Sequence, residues 1–436
     1  MSARQRDIIY DLPLKQFDES CPWSTSSIGQ LADVLGGGTP DTGVIELWEP
    51  AEIPWATPTD ITGTDGNEIR TTERYISTAG LRQSTLVPEN SVLMTSRATI
   101  GEAKINRVPM AINQGFAALC AKDGHSAEYL FYLLNILRPT LVRLGAGTTF
   151  LETSRREIRK VQLRVPDVGE QRRIVAALTL ADVVCEKAQA ELEAARELKR
   201  SLMNTLFVRG MPGRHADFQE TKIGLVPRGW TVRSIRSVLA EKPDSGTSPL
   251  SRQDPPGTPI LNVSCVKDGV CSAAEVTYVD VTTDEVTRYR TSAGDFFVLR
   301  GNGNRDFVGT GGLLRKTPEV DTIYSDKLIR LRFNGEKVAD RFVPYLWQAK
   351  AFLTRLQSKA ESGSGLWMMS KRDICRELFA CPPTDEQEEI VGVLDSTEDQ
   401  INAQARKVEA LMDVKRALQQ NLLTGKIRIP EGAIHA

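Results

Sequence analysis

At 436 residues the chain is too long for one ordinary domain and long enough for two sizeable cores with connectors. Its 41% hydrophobic and 25% charged residues are those of a soluble globular protein, and a net charge of −1 weighs against a nucleic-acid binder that is basic all over. No run of about 18 apolar residues offers a membrane span; the start "MSARQRDIIYDLPLK" lacks the apolar stretch of a secretory signal; and seven scattered cysteines without a C-x-x-C pair, beside three histidines at poor spacing, argue against zinc and fit reduced thiols in a cytosol.

Residues 1–165 read as β-rich, with short apolar stretches such as "SVLM" and "AALCA" separated by Gly, Pro, Asn and Asp. A helix is expected over Ala127–Leu144, broken or bent at Pro139. Residues 166–210 form a long helix. Asp167-x-x-Glu170 is a loose capping box at its start, and Gly210 suits the left-handed position after its end. Its apolar positions keep a strict 4,3 heptad: Ile174, Leu178, Ala181, Cys185, Ala188, Leu192, Ala195, Leu202 and Leu206. Residues 211–228 carry several breakers and no helical stripe, and read as a linker. A second β-rich region follows over 229–381, with "GDFFVL" and "KLIRLRF" as strands and a helix around Val338–Ser358. Residues 382–425 repeat the long helix, from a capping box at Thr384-x-x-Gln387 to Gly425, with Ile390, Leu394, Thr397, Ile401, Gln404, Val408, Leu411, Leu418 and Leu422 on its seam. Residues 426–436 are a tail.

The two halves are copies. At an offset of 216, 16 of the 62 positions from Gly145 to Leu206 are identical, against roughly one in twenty by chance. Upstream the likeness needs gaps: "WSTSSI" resembles "WTVRSI", "GGGTP" resembles "SGTSP", and "LMTSRATIG" resembles "VLRGNGNRDFVG". The helices share one task, while the β-rich heads diverge as if reading two different things. Each helix, about 55 Å long at 1.5 Å per residue, would expose its seam alone. Antiparallel pairing of the two buries both seams and puts the heads at opposite ends. The heptad is interrupted by Lys199 and Lys415, which either snorkel at the seam edge or fix its register. Full overlap sets Lys199 near Glu398 or Asp399 and Lys415 near Asp182.

Catalytic signatures are missing from the sequence. There is no Asn-Pro-Pro-aromatic methyltransferase motif, no phosphate loop and no nucleophile elbow. The glycine-rich "GNGNRD" and "GTGG" read as tight turns. The chain reads as a binder and scaffold.

The paired "EQ..IV..L" and "LK..L...L" helices with their terminal glycines, each after a strand ending in "VP" or "CPP", resemble the specificity subunit of type I restriction–modification systems. "ETKIGLVPRGWTVRSI", "GGGTP" and "SRATIG" resemble the entry strands and loops of that family's target-recognition domains. The resemblance implies an α+β fold: two β-rich target-recognition domains separated by two long helices that form an antiparallel coiled coil, as a pseudo-two-fold internal repeat. It implies that each head reads one half of a split double-stranded DNA target, and that the helices carry two methyltransferase subunits, joined by restriction/translocase subunits. It implies a non-catalytic cytoplasmic chain with no cofactor of its own; S-adenosylmethionine, ATP and Mg belong to its partners. A scaffold with two heads that bind protein or glycan is the alternative.

Candidate DNA contacts are loop residues at matching places. They are Thr39, Ser96, Arg97, Asn113, Thr148 and Thr149 in the first head, and Thr247, Arg300, Asn302, Asn304, Arg305, Lys327 and Ser364 in the second. Arg and Asn suit base edges, and Ser and Thr suit phosphates or bases; each is also an ordinary turn or surface residue. Arg155-Arg156 and Lys371-Arg372 either touch phosphate or are solvated faces.

Overall fold

A computed structural model describes residues 10–18, 20–122, 124–146, 152–363 and 365–432. The chain divides into two compact units. One is made of residues 1–189 and 407–436, the other of residues 190–406. Each therefore contains one head and a stretch of both long helices, which run over Val168–Arg209 and Thr384–Leu423.

In the first unit a five-stranded sheet has the order Ala32–Gly36, Phe116–Ala121, Ser91–Thr95, Ala103–Asn106, Glu68–Ile69. A four-stranded sheet has the order Arg74–Ile76, Ile53–Ala56, Met110–Ile112, Thr85–Val87. Strand Ser91–Thr95 is buried along its whole length because both of its faces are covered. The helix Ala127–Gly145 is capped by the Ser126 hydroxyl, which accepts from Tyr129 N–H, and it runs unbroken through Pro139. Its Tyr129, Leu130, Leu133 and Leu137 join one core with Ile174 and Leu178 of the first long helix and Leu422 and Leu423 of the second.

The second unit has a six-stranded sheet centred on Phe296–Leu299, a four-stranded sheet centred on Val276–Val279 and Thr258–Leu261, and a three-stranded ribbon of Gly301–Asn302, Leu366–Met368 and Glu361–Gly363. The expected helix over 338–358 is two helices, Phe342–Gln348 and Lys350–Gln357, parted by an extended Ala349. The break seats Trp347 and Phe352 ring against ring at 4.9 Å. The expected linker contains a β-hairpin, Phe218–Thr221 with Gly224–Pro227. Gly224 takes a positive φ of 100° at its tight turn, where the Thr221 hydroxyl donates to Gly224 O at 2.7 Å.

Each head hands over to its helix in the same way. A two-stranded ribbon, Ser24–Ser27 with Gln162–Val165 or Thr231–Ser234 with Leu378–Cys381, leads into the first turn. Asp167 caps the first helix by accepting from Glu170 N–H at 2.8 Å. The glutamate and glutamine of the repeated Glu-Gln pair then turn inward. Gln171 donates to Pro166 O and Gln387 to Pro382 O, both at 2.9 Å. Gln387 therefore serves the strand end rather than the capping box expected at Thr384.

Glu170 is fully buried. It accepts from the Trp23 indole at 3.0 Å and from Arg428 Nε and Nη2 at 2.9 and 2.6 Å. Glu386, also fully buried, accepts from the Trp230 indole at 2.8 Å, His215 Nε2 at 2.7 Å and Met211 N–H at 3.1 Å. In both cases a basic side chain, Arg428 or His215, lies just past the glycine that ends the other long helix. Those glycines, Gly210 and Gly425, have φ of 76° and 73°. A side chain at Gly210 would strike the Glu386 carboxylate, and one at Gly425 would strike the Cys21 sulfur.

Within each unit the helix stretches pair antiparallel. Buried Ile174, Leu178, Cys185, Ala188 and Leu192 follow the heptad, as do Ile390, Leu394, Ile401 and Val408. In the first unit Lys415 Nζ lies 2.5 Å from Asp182 Oδ1, and Asp182 also accepts from Tyr132 at 2.5 Å and Asn67 at 2.6 Å. In the second unit Lys199 pairs with Glu398, and Gln404 donates to Glu191 at 2.8 Å.

Two expectations follow. Asp182 is buried whereas Glu398 is about a third exposed. Lys415→Ala therefore strands a buried carboxylate and costs about 1–3 kcal/mol, while Lys199→Ala costs about 1 kcal/mol or less; urea unfolding of the two variants checks the order. Burial raises the Glu386 pKa, but the hydrogen bonds from His215, Met211 and Trp230 outweigh it and hold it below the ordinary glutamate value. The folded state thus favours the carboxylate, and that stabilisation is present above the unfolded pKa, about 4.3, and lost as pH falls through the lowered one. Glu386→Gln should cost about 2 kcal/mol at pH 7. Its gap to the parent in urea midpoint should stay constant down to about pH 5 and close below about pH 4.

Candidate nucleic-acid interface

The candidate loops of each head are woven together by the same four backbone hydrogen bonds. In the first head Gly38 N–H donates to Ile112 O (3.0 Å), Asn113 N–H to Ala56 O (3.1 Å), Ser96 N–H to Gly115 O (2.8 Å) and Thr153 N–H to Ser96 O (3.0 Å). In the second, Thr247 N–H donates to Tyr324 O (3.2 Å), Ser325 N–H to Leu261 O (3.0 Å), Arg300 N–H to Lys327 O (2.8 Å) and Met369 N–H to Arg300 O (2.8 Å). Loops distant in sequence are thereby fixed edge to edge.

Glycine makes the closest crossing possible. An added Cβ would lie 1.9 Å from Ile112 O at Gly37, and 1.9 Å from Tyr324 O at Gly246. These two glycines occupy the same place in "GGGTP" and "SGTSP". The sequence likeness was visible, but its cause, a carbonyl seated against the α-carbon, was not.

On this frame the candidate side chains take different parts. Thr39 is exposed and its hydroxyl donates to the exposed Gln114. Ser96 is buried; its hydroxyl donates to Gly115 O at 3.0 Å and secures the loop from behind. Arg97 is held by Glu152 at 3.0 Å. Asn113 folds back to accept from Gly115 N–H at 2.7 Å. In the second head Asn302 accepts from Asn304 N–H and Asn304 from Asp306 N–H, both at 2.9 Å, which shapes the turn that presents Arg305. Arg305 lies over the Trp367 ring, 5.0 Å from its centroid. The side chains of Arg300 and Lys327 have no hydrogen bond or ion pair with another described residue, and both lie beside Thr247 through the frame. Thr148, Thr149 and Ser364 lie outside the described residues.

The basic runs sit on short helices, Arg155–Lys160 and Lys371–Arg376, capped by Ser154 and Ser370. Arg155 packs against Gly36, and Lys371 Nζ comes within 4.0 Å of Asp244. Thus the first residue of each run adjoins the strand that enters the glycine crossing.

Sequence reasoning passed over one cluster. Trp48 and Trp55 meet edge to face at 5.2 Å. Their indoles donate to Asp41 O at 3.0 Å and Gly38 O at 3.1 Å, bracing the loop that carries Thr39, with Arg74 stacked above. The available signal was two tryptophans seven residues apart just past a glycine run, which no motif connects to Arg74. Among the described residues no group of acidic, histidine and cysteine side chains is placed to hold a metal.

The family model "Type I restriction modification DNA specificity domain" matches residues 21–194. The MjaIX specificity subunit of Methanocaldococcus jannaschii is 29% identical over 258 residues, which is 57% of this chain. The EcoKI specificity subunit of Escherichia coli K12 is 22% identical over 344 residues, 74% of this chain. The chain spans 59% of the length of the first relative and 72% of the second. A solved chain described under assembly and conformational transition of the type I R-M system shares the fold over 94% of this chain and 100% of its own length, with a TM-score of 0.62 and 17% identity. Residues 21–194 thus match the DNA specificity domain of type I restriction modification, and the chain as a whole is similar to specificity subunits of those systems.

Proposed function

We propose that this chain is the DNA-reading, non-catalytic subunit of a type I restriction–modification complex, and that its two heads each read one half of an asymmetric bipartite duplex target. The observation that carries the reading is the duplicated loop frame: the same four backbone hydrogen bonds hold different side chains in two diverged heads. A constant frame with variable contacts suits sequence recognition, in which phosphate contacts position and base contacts specify. Arg300, Lys327 and Arg305 on the second frame, and Thr39 with Arg155 and Arg156 by the first, supply donors for bases and phosphates.

The partners are two methyltransferase subunits, which bind S-adenosylmethionine, and restriction/translocase subunits, which use ATP and Mg. Apolar side chains that lie off the helix seams remain exposed, among them Leu180, Val183 and Val414 in the first unit and Leu198 in the second. They offer such subunits contact area. Lys199 and Lys415 act as register devices, polar seam positions that fit only where an acidic partner lies opposite. The complex works in the cytoplasm; among the described residues no helix is long and apolar enough to cross a membrane.

Methylome sequencing of cells that carry this chain with its modification subunit should give an asymmetric two-part motif. Replacing residues 23–165 with those of another family member should change one half of that motif and leave the other half and the spacer intact. A change in both halves would overturn the division of labour. Gly37→Ala and Gly246→Ala should each displace one frame, with a loss of about 1–3 kcal/mol in stability, and each should blur only the half-site read by its own head.

A further inference from the structure

Building on the DNA reading above, we propose that Arg74 reads a guanine edge within the first head's half-site, held in position by Trp48 and Trp55. Arg74 opens the strand Arg74–Ile76 and lies opposite Trp55 in the pairing with Ile53–Ala56. Its guanidinium carbon is 3.9 Å from the Trp48 ring centroid and 5.2 Å from that of Trp55. Both indoles are hydrogen-bonded to the loop carbonyls of Asp41 and Gly38, so the stack is tied to the loop that carries Thr39. The guanidinium is thus fixed with respect to the candidate face before any ligand arrives.

Its donors are uncommitted. The Arg74 side chain makes no hydrogen bond or ion pair with another described residue, whereas Arg107 is bound by Glu68 and Glu128 and Arg97 by Glu152. Stacking on an indole covers part of the cation and restrains its rotamers while leaving N–H donors for a ligand. A phosphate contact needs only a mobile positive charge. A planar, restrained fork is what bidentate recognition of guanine O6 and N7 needs.

The second head reaches the same device by a different route. Arg305 stacks over Trp367, which pairs with Asn302 in the ribbon beside Arg300, and the Arg305 side chain also has no partner among the described residues. The two pairs lie on strands and loops that do not correspond in the repeat. A braced, unpaired arginine beside each frame is therefore a shared solution rather than an inherited position.

The test uses the full chain assembled with its modification subunit, and duplexes selected from a randomised pool at several salt concentrations. The parent should select a guanine in the half-site assigned to the first head by the head exchange. Arg74→Ala and Arg74→Lys should both lose preference at that base pair by about tenfold to a hundredfold, with the other half-site unchanged. The lysine variant keeps the charge, so its salt dependence should match the parent's. If instead Arg74→Ala weakens all sequences alike with a salt slope lowered by about one, and Arg74→Lys restores both, the contact is to phosphate and the proposal falls. It also falls if neither variant alters the motif. A parent that selects no motif at all refutes the DNA reading itself, an outcome separate from these.

Discussion

A buried carboxylate at the start of each long helix holds the molecule's parts in order. Glu170 and Glu386 are fully shielded from water, which would be costly for an unpaired charge. Each is satisfied from two directions: a tryptophan indole from the head, and a basic side chain, Arg428 or His215, from the segment beyond the other helix's end. One side chain thereby joins a head, the helix it feeds and the end of the antiparallel neighbour. Removing any one partner leaves the carboxylate short of a donor, so the three elements favour one another's placement.

The heads are then free to vary where the helices are not. The glycine crossing and its four hydrogen bonds use backbone atoms alone, apart from the requirement for glycine itself. A few side chains reinforce that frame: Ser96 and Asn113 bond Gly115, and the Trp55 indole bonds Gly38 O. A scaffold built from main-chain hydrogen bonds tolerates new contact residues without loss of shape, which explains how a buried Ser96 and a half-buried Arg300 occupy equivalent places.

What could be read from the sequence depended on how local each signal is. The long helices, their heptad seams, their terminal glycines and the acidic partners of Lys199 and Lys415 follow from periodicity and one assumed overlap, all of them short-range or symmetric information. The junctions do not: Trp23 looks like an ordinary core residue until Glu170 is found against it, and Arg428 looks like a tail residue. The hairpin inside the expected linker was hidden because Gly224 and Pro227 serve as breakers and as hairpin residues alike. Pro139 was expected to interrupt a helix that passes through it, while the true interruption at Ala349 has no breaker to announce it. At the candidate interface the glycines mark the loops that cross in the frame. Which side chains are exposed, paired or stacked depends on contacts between loops that are many residues apart, as Arg74 over Trp48 shows.

The division into units does not follow the order in which the chain is made. The first unit is completed by residues 407–436, and the whole second unit lies between its two parts. Arg428 is 258 residues downstream of Glu170, an interval of the order of tens of seconds at ordinary rates of translation. Through that interval the nascent first head carries a helix whose seam has no partner and a buried acid that lacks its arginine. The second unit is continuous in sequence, but it too waits: Glu386 is made 171 residues after His215. Synthesis thus leaves the first head waiting on a segment that emerges only after the whole second unit, and a ribosome that stalls before Arg428 releases a first unit whose buried Glu170 lacks its arginine.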